Sequence, residues 1–211
     1  MIEVGKISKS TDTAVRQRLL SCATQVFTRK GYTATTVREI VAAAGVTKPV
    51  LYYYFRNKEG IYLELIREAF AQFDALLDAS RSQQGSTTER LLRLSDQIFS
   101  LFMENIEVAR LMYSIYYGPP QGAPFFDFDT YHLKFHNAIE GLVRGGIRKG
   151  EFCKGNAEDI MWAIMGAVNV AMEVQLCHPD MGIERKRLAG ILKLIFQGIS
   201  AQRTKQEGKR K

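Results

Sequence analysis

The stretch from residue 31 to residue 61 constrains the fold more than any other, because helix starts follow each other closely there. Thr36 and Glu39 form a capping box, in which the hydroxyl and the carboxylate each accept a hydrogen bond from an otherwise unpaired backbone amide. Gly45 suits the left-handed conformation that follows a helix end, and Thr47 can cap the next helix. Two helices joined by so short a turn cross steeply, which predicts a helix-turn-helix unit.

The second helix of this unit, residues 48–55, contains three adjacent tyrosines. Leu51 and Phe55 stand four residues apart and are expected to face the core. Successive helical residues are rotated by about 100°, so at least one or two of the tyrosines must point outward. Exposed tyrosines beside basic side chains suit a surface that contacts DNA phosphates and thymine methyl groups. The tyrosines are Tyr52, Tyr53 and Tyr54, and the basic neighbours are Lys48, Arg56 and Lys58.

Many spaced positions in this stretch agree together with one known pattern. They are Gly31-Tyr32, Thr35-Thr36-Val37, Ile40, Ala44-Gly45-Val46, residues 51–55 (LYYYF) and Lys58-Glu59. In these positions the chain resembles the DNA-binding domain of TetR-type (TetR/AcrR) transcriptional regulators. The resemblance is specific over about the first 60 residues, and beyond them only the number and length of the helices resemble the family. The alternative is a plain helical domain that happens to begin with three helices.

The resemblance and the pattern together give a set of expected DNA contacts. The set is Thr36, Lys48, Pro49, Val50, Tyr52, Tyr53, Tyr54 and Lys58. Lys48, Tyr52 and Tyr53 are expected to contact bases and phosphates, and the other polar members to hold mainly backbone phosphate. Val50 could contact a thymine methyl group. Pro49 departs from the glycine or small residue often found there in the family; it stiffens the helix start and could alter base preference.

The positive charge of the chain is concentrated at its ends. The net charge is +7, of which residues 1–60 contribute +6, residues 61–201 contribute −3 and residues 202–211 contribute +4. Binding to DNA phosphate is largely electrostatic, so a basic N-terminal region supports DNA binding. The basic C-terminal segment carries less information, because such ends are usually disordered and solvated.

Helical periodicity without any alternating strand pattern predicts an all-α protein of about nine helices. We expect a DNA-binding domain at residues 1–57, an effector-binding and dimerisation domain at 58–201, and a disordered basic tail at 202–211. The first helix should follow the cap residues at 10–13, and the fourth, from Lys58 to about Ser80, should link the two domains. The segment GPPQGAP, residues 118–124, cannot continue a helix.

Compartment and solubility follow from composition. Three scattered cysteines form no disulfide framework, which fits a reducing compartment. The most apolar run, residues 160–172, includes Asn169 and is shorter than the ~20 residues that a membrane span needs. The N-terminus lacks the apolar stretch of a signal peptide. We therefore expect a cytoplasmic protein without a membrane partner.

The last two long helices suit a dimer interface. The first has small residues that allow another helix to approach, and the second has an aliphatic seam. In TetR-type proteins the corresponding helices form the dimer, so the resemblance implies the same here, with burial inside one chain's own core as the alternative. The expected interface is Ala163, Ala167, Val170, Ala171, Leu188, Ile191, Leu192, Ile195 and Ile199. A dimer would also place two reading helices about one DNA turn apart.

The resemblance implies a small-molecule effector pocket, and large adaptable side chains near the Pro/Gly segment could line a largely apolar one. Simple core packing is the alternative for each residue. The expected pocket is Phe102, Met103, Tyr113, Tyr116, Tyr117, Phe128, His132, His136, Trp162, Met165, Asn169 and Glu173. His132 and His136, with Asp129 a turn earlier, have a spacing that could hold a metal, although such histidines more often line a pocket or the surface. We expect no metal.

No Gly-rich phosphate loop, HExxH or GxSxG motif is present, so we expect neither an enzyme nor a cofactor. The sequence therefore predicts a homodimeric, ligand-responsive DNA-binding regulator, most simply a repressor released from a palindromic operator by a small molecule. The alternative is a helical small-molecule carrier or enzyme whose helix-turn-helix is vestigial.

Overall fold

The computed structural model describes residues 4–118 and 122–200, with side chains from residue 11 onward. The described residues form nine α-helices and a short 3-10 helix at Pro179–Met181, and the only β pairing among them is an isolated bridge between Phe152 and Ser200. The helices are α1 Val4–Ala34, α2 Val37–Ala44, α3 Lys48–Phe55, α4 Lys58–Arg81, α5 Thr87–Glu104, α6 Ile106–Tyr116, α7 Phe128–Lys149, α8 Ala157–Cys177 and α9 Arg185–Ile199. The all-α prediction is confirmed.

Two helix boundaries differ from those expected. The start of α1 is earlier than predicted, because the cap residues at 10–13 lie inside the helix and no proline interrupts them. Its last turn is broken at Gly31, whose backbone has φ 78° and ψ 165°. Residues 119–121 of the predicted Pro/Gly linker and the tail at 202–211 lie outside the described residues.

The described residues divide into two units. The first comprises residues up to 72 together with 104–127, and the second comprises 73–103 together with the residues from 128 onward. Helix α4 therefore contributes to both units. The expected boundary near residue 57 between a DNA-binding and an effector domain stays a prediction.

The first unit is built around the apolar face of α1. Leu19 and Phe27 of this helix are fully buried, as are Ile40 of α2 and Leu51 of α3. Each such side chain contributes roughly 1.5–3 kcal/mol by leaving water. Phe27, Tyr32 and Tyr62 form an aromatic cluster with ring centroids 5.0–5.9 Å apart. Helix α6 also packs against α1. This core fixes the helix-turn-helix on a rigid support.

The second unit is centred on α8, which packs against α7 and α9. Helix α8 is long and apolar enough to cross a membrane by length and composition alone. Nine of its residues are buried, however, and eight of these belong to a core shared with α5, α7 and α9. A helix that is apolar nearly all round is expected at the centre of a folded core as well as in a membrane, so this feature is weak evidence for a membrane span.

Candidate nucleic-acid interface

The capping box at the start of α2 is present as the sequence predicts. The Glu39 amide donates to the Thr36 hydroxyl at 3.3 Å, and the Thr36 amide donates to the Glu39 carboxylate at 2.9 Å. The Lys30 ammonium, at the end of α1, donates to the same carboxylate. Hydrogen bonds from Lys30 first, and from Thr36 second, lower the pKa of Glu39 to about 2. The Thr36 hydroxyl also donates to the Glu39 carboxylate at 2.9 Å, so this hydroxyl acts both as a donor and as an acceptor within the protein.

The turn between α2 and α3 depends on Gly45. Its backbone is left-handed, with φ 61° and ψ 37°, and the amide of Val46 donates to the Val41 carbonyl at 3.0 Å. A Cβ atom at Gly45 would meet no atom within 4 Å, so the positive φ is the reason for glycine. Helix α3 then begins with Pro49 in its first turn, and the Thr47 side chain makes no capping hydrogen bond.

Helix α3 buries one face and exposes the other. Leu51 and Phe55 are buried, whereas Tyr52 is 46% and Tyr53 76% exposed and Tyr54 is half-buried. Lys48 and Pro49 are exposed and Val50 is half-buried. The prediction that the tyrosines cannot all be buried is confirmed. Lys48, Tyr52 and Tyr53 are thus exposed on a helix whose opposite face is fixed to the core by Leu51 and Phe55.

Tyr54 is held by α1 instead of standing free. Its hydroxyl donates to the Asp12 carboxylate and lies 3.2 Å from the Asp12 carbonyl oxygen. The hydrogen bond with Asp12 raises the pKa of Tyr54 to about 12. The hydroxyl for which a phosphate contact is predicted is therefore already oriented by α1.

Lys58, the first residue of α4, bonds to the junction between α1 and α2. Its ammonium donates to the carbonyl oxygens of Tyr32 at 2.9 Å, Thr35 at 3.0 Å and Thr33 at 3.4 Å. The same ammonium lies 4.2 Å from the centroid of the Tyr32 ring. All three of its N–H donors thus have partners at the α1–α2 junction, which the sequence pattern did not indicate.

A second feature missed from the sequence is the anchoring role of Arg16. Its guanidinium forms ion pairs with Glu64 and Glu68 of α4 and lies 5.6 Å from the Phe55 ring centroid. Burial opposes the charge, but hydrogen bonds and attraction from both carboxylates outweigh it and raise the pKa of Arg16. Arg16 therefore ties α1 to α3 and α4.

Arg56, one of the basic neighbours of the three tyrosines, directly follows α3. It is exposed and is the one non-glycine residue with positive φ, 64°, among those described. Thr47 and Arg56 flank the exposed face of α3 at its two ends.

The expected pocket residues are not gathered around a described cavity. Three of them, Tyr113, Tyr116 and Tyr117, belong to the first unit and the other nine to the second. Met165 is fully buried, while Tyr116, Tyr117 and Trp162 are about half or more exposed. Phe102, Tyr113, Phe128, His136 and Asn169 are half-buried, and Met103, His132 and Glu173 are exposed. Two cavities with walls of described residues, one in each unit, are lined by none of the twelve.

His136 is the most notable member of that set. Its ring packs edge-on against the Trp162 ring at 5.5 Å, and its Nδ1 atom is buried without a hydrogen-bond partner. No group of three or more His, Cys, Asp or Glu side chains able to hold a metal occurs within the part of the chain that the structure describes. Asp129, His132 and His136 are thus not brought together as a metal site.

The expected interface residues fall into two classes. Ala171, Leu188 and Leu192 are 2% exposed or less and belong to the core of the second unit, so these three side chains are not available to a partner. This corrects the expectation for them, because the aliphatic seam of α9 faces α8. Val170 is 53% exposed, Ala163 is exposed, and Ala167, Ile191, Ile195 and Ile199 are half-buried. Leu194, which is not among the expected interface residues, is 69% exposed.

Comparison with known proteins identifies the family. The model of the bacterial regulatory proteins of the tetR family matches residues 19–65. The chain is 32% identical to the uncharacterized HTH-type transcriptional regulator YdgC of Bacillus subtilis over 107 residues, which are 49% of this chain and 55% of that relative. The match thus spans about half the length of that relative.

Two further comparisons extend over nearly the whole chain. The HTH-type transcriptional repressor Rv1474c of Mycobacterium tuberculosis is 30% identical over 195 residues, 92% of this chain and 97% of the relative. The crystal structure of the transcriptional regulator FadR from Bacillus subtilis in complex with stearoyl-CoA is similar in fold, with a TM-score of 0.65 and 20% identity over 87% of this chain and 98% of that one. This chain belongs to the TetR family of bacterial regulatory proteins.

Proposed function

We propose that this protein is a homodimeric transcriptional repressor that binds a palindromic operator in the cytoplasm and is released from it by a small molecule. The exposed face of α3 is the observation that carries the proposal. Lys48, Tyr52 and Tyr53 project there from a helix that Leu51 and Phe55 fix to the core. A short helix held in this way can enter the major groove with its first turn toward the base edges.

The residues around α3 divide into two roles in this proposal. Lys48, Tyr52 and Tyr53 contact bases and phosphates, with Pro49 and Val50 beside them. Thr36, Tyr54 and Lys58 mainly position the helix, because their polar atoms already bond to Glu39, Asp12 and the α1–α2 junction. Any phosphate contact of these three is made by groups that are already ordered, which lowers the entropy lost on binding.

The open faces of α8 and α9 support a dimer. Val170 and Leu194 are more than half exposed, and an added Cβ at Gly166, Gly190 or Gly198 would meet no atom within 4 Å. Glycine inside a helix costs about 1 kcal/mol relative to alanine, so packing within the chain does not explain these residues. Close approach of the same helices from a second subunit does explain them.

The ligand response is proposed from the relatives and from α4. The FadR structure holds stearoyl-CoA, whose acyl chain is apolar, and the effector proposed for this chain is likewise a small molecule with a large apolar part. Helix α4 is continuous from residue 58 to residue 81 and contributes to both units. A ligand can lower operator affinity only by as much as it prefers the conformation that does not bind DNA.

The test is a fluorescence anisotropy titration with DNA from upstream of the protein's own gene and of adjacent genes, repeated over a range of salt concentrations. We expect saturable binding. The logarithm of the association constant should fall linearly with the logarithm of the salt concentration, because Lys48 and its neighbours displace counterions from the DNA. Absent or salt-insensitive binding would favour the alternative, a helical carrier or enzyme with a vestigial helix-turn-helix.

A further inference from the structure

An open groove lies within the second unit, apart from every residue that the sequence assigned to a ligand. Its walls are the C-terminal part of α4, the first turn of α5 and the length of α7 from Lys134 to Lys149. Its volume is about 650 Å³. Sites for small molecules usually have volumes of about 300–1,000 Å³, so the groove is large enough for one.

The groove is open because α7 has only small residues along the middle of the face that lines it. Ala138, Gly141 and Gly145 line it, and Leu77 and Leu142 extend the apolar wall. A Cβ atom at Gly141 or Gly145 would meet no atom within 4 Å. Glycine is less favourable than alanine in a helix interior, so packing within the unit does not account for the pair. What the two glycines provide is space.

The groove also has an excess of positive charge. Two of its cations are neutralised by groove carboxylates, since Lys134 lies 2.8 Å from Asp74 and Arg81 lies 3.2 Å from Asp78. The remaining three cations that line it are Arg90, Arg148 and Lys149. None of these three forms an ion pair with any residue whose side chain the structure describes. The groove therefore attracts an anion.

Arg90 has one hydrogen-bond donor that is not paired within the described part of the protein. Its guanidinium donates to the Ser80 and Arg81 carbonyl oxygens at the end of α4, both at 3.4 Å. Its Nε atom is buried and has no acceptor among the described residues. A buried donor of a charged group without a partner is costly, and an anionic oxygen in the groove would pair with it once the Arg90 side chain rotates to expose Nε. The carboxylate of Glu151 does not do so in this structure, because it accepts from the amide and hydroxyl of Thr87.

We propose that this groove binds a small molecule that has a phosphate group on an apolar body. The phosphate lies between Arg90, Arg148 and Lys149, because three cations match a group with two negative charges and three acceptor oxygens. The apolar body follows the wall of Leu77, Leu142 and the two glycines. Binding of such a ligand to the groove does not depend on whether the protein binds DNA. That the ligand acts as an effector rests on the proposed function.

Isothermal titration calorimetry of the full chain with octyl phosphate, without DNA, tests the proposal. We expect saturable binding at one site per chain, which Arg148→Gln weakens by about tenfold or more through loss of a charge-assisted hydrogen bond. Gly141→Leu should weaken it as well by filling the groove. Arg144→Gln is the matched control, because Arg144 is exposed on the same helix but pairs with Glu140 and does not line the groove.

Two further ligands identify which part of the molecule is recognised. Inorganic phosphate and octanol should each bind more weakly than octyl phosphate, since each occupies only half of the groove. The proposal is overturned if octyl phosphate shows no saturable binding, or if Arg144→Gln and Arg148→Gln weaken it equally. Binding to vesicles that contain phosphatidic acid, without binding to soluble octyl phosphate, would also overturn it by indicating a lipid surface. Octyl phosphate binding together with absent operator binding would refute the proposed function alone.

Discussion

Replacing Lys58 by methionine separates a positioning role from a DNA-contact role at the base of the helix-turn-helix. Methionine keeps most of the aliphatic stem and removes the ammonium that bonds to the carbonyls of Tyr32, Thr35 and Thr33. Thr35 is 1% exposed, so water cannot readily replace the lost donor there.

The magnitude follows from these contacts. The two shorter hydrogen bonds involve a charged donor and are worth about 1.5 kcal/mol each at the lower end of the usual range, which applies because Lys58 is half-buried. The contact with the Tyr32 ring adds roughly 0.5 kcal/mol, and the 3.4 Å bond adds little. We expect Lys58→Met to lower the free energy of unfolding by about 3.5 kcal/mol, which lowers the melting temperature by roughly 7–14 °C in a chain of this length.

Thermal melts followed by circular dichroism, with operator affinity measured well below the melting temperature, provide the assay. Lys48→Met is the matched control, since Lys48 is exposed and forms no hydrogen bond or ion pair among the described contacts. The control should lower operator affinity and leave the melting temperature unchanged. If Lys58→Met instead melted like the wild type and lost affinity as Lys48→Met does, the ammonium would serve phosphate, and the positioning role would be refuted.

Three other predictions concern the reading helix, its cap and the dimer. Tyr52→Ala and Lys48→Ala should each weaken operator binding and relax base preference in competition titrations, and only Lys48→Ala, which removes a charge, should also lower the salt dependence of binding by about one counterion. The pKa of Glu39 is lowered from 4.5 to about 2, so its contribution to stability is complete above pH 4.5 and is lost as the pH falls toward 2; Glu39→Gln should flatten that part of the stability profile in urea titrations. Leu194→Asp should convert a dimer into monomers in light scattering, whereas Leu133→Asp, 56% exposed on α7, should not.

The helix-turn-helix could be predicted from the sequence because its determinants are local. The capping box needs only Thr36 and Glu39, and the turn needs only a residue that accepts positive φ, which Gly45 supplies. The exposure of Tyr52 and Tyr53 follows from helical rotation once Leu51 and Phe55 are assigned to the core. No distant contact is required for any of these inferences.

The contacts that hold this unit could not be predicted in the same way. Arg16 reaches Glu64 and Glu68, and Lys58 reaches carbonyl oxygens at the end of α1, so both depend on how separate helices pack. The spacing of the apolar residues in α9 also did not distinguish the face buried within the chain from the exposed face. Leu188 and Leu192 lie on the regular seam and are buried within the chain, whereas Leu194 lies off the seam and is exposed. Periodicity finds a helix face that must be buried but does not say whether the same chain or a partner buries it.

These distant contacts change what the helix-turn-helix can do. A reading helix fixed only by Leu51 and Phe55 could tilt about its buried edge, because apolar packing is not directional. Asp12 holds Tyr54 and Arg16 lies over Phe55, so α1 restrains both the exposed and the buried side of α3. Arg16 is paired in turn with Glu64 and Glu68 on α4, the helix that contributes to both units. A displacement of α4 must therefore either carry α1 with it or break these two ion pairs and the hydrogen bonds of Lys58, so Arg16 and Lys58 together connect α4 to the helices that position the exposed side chains of α3.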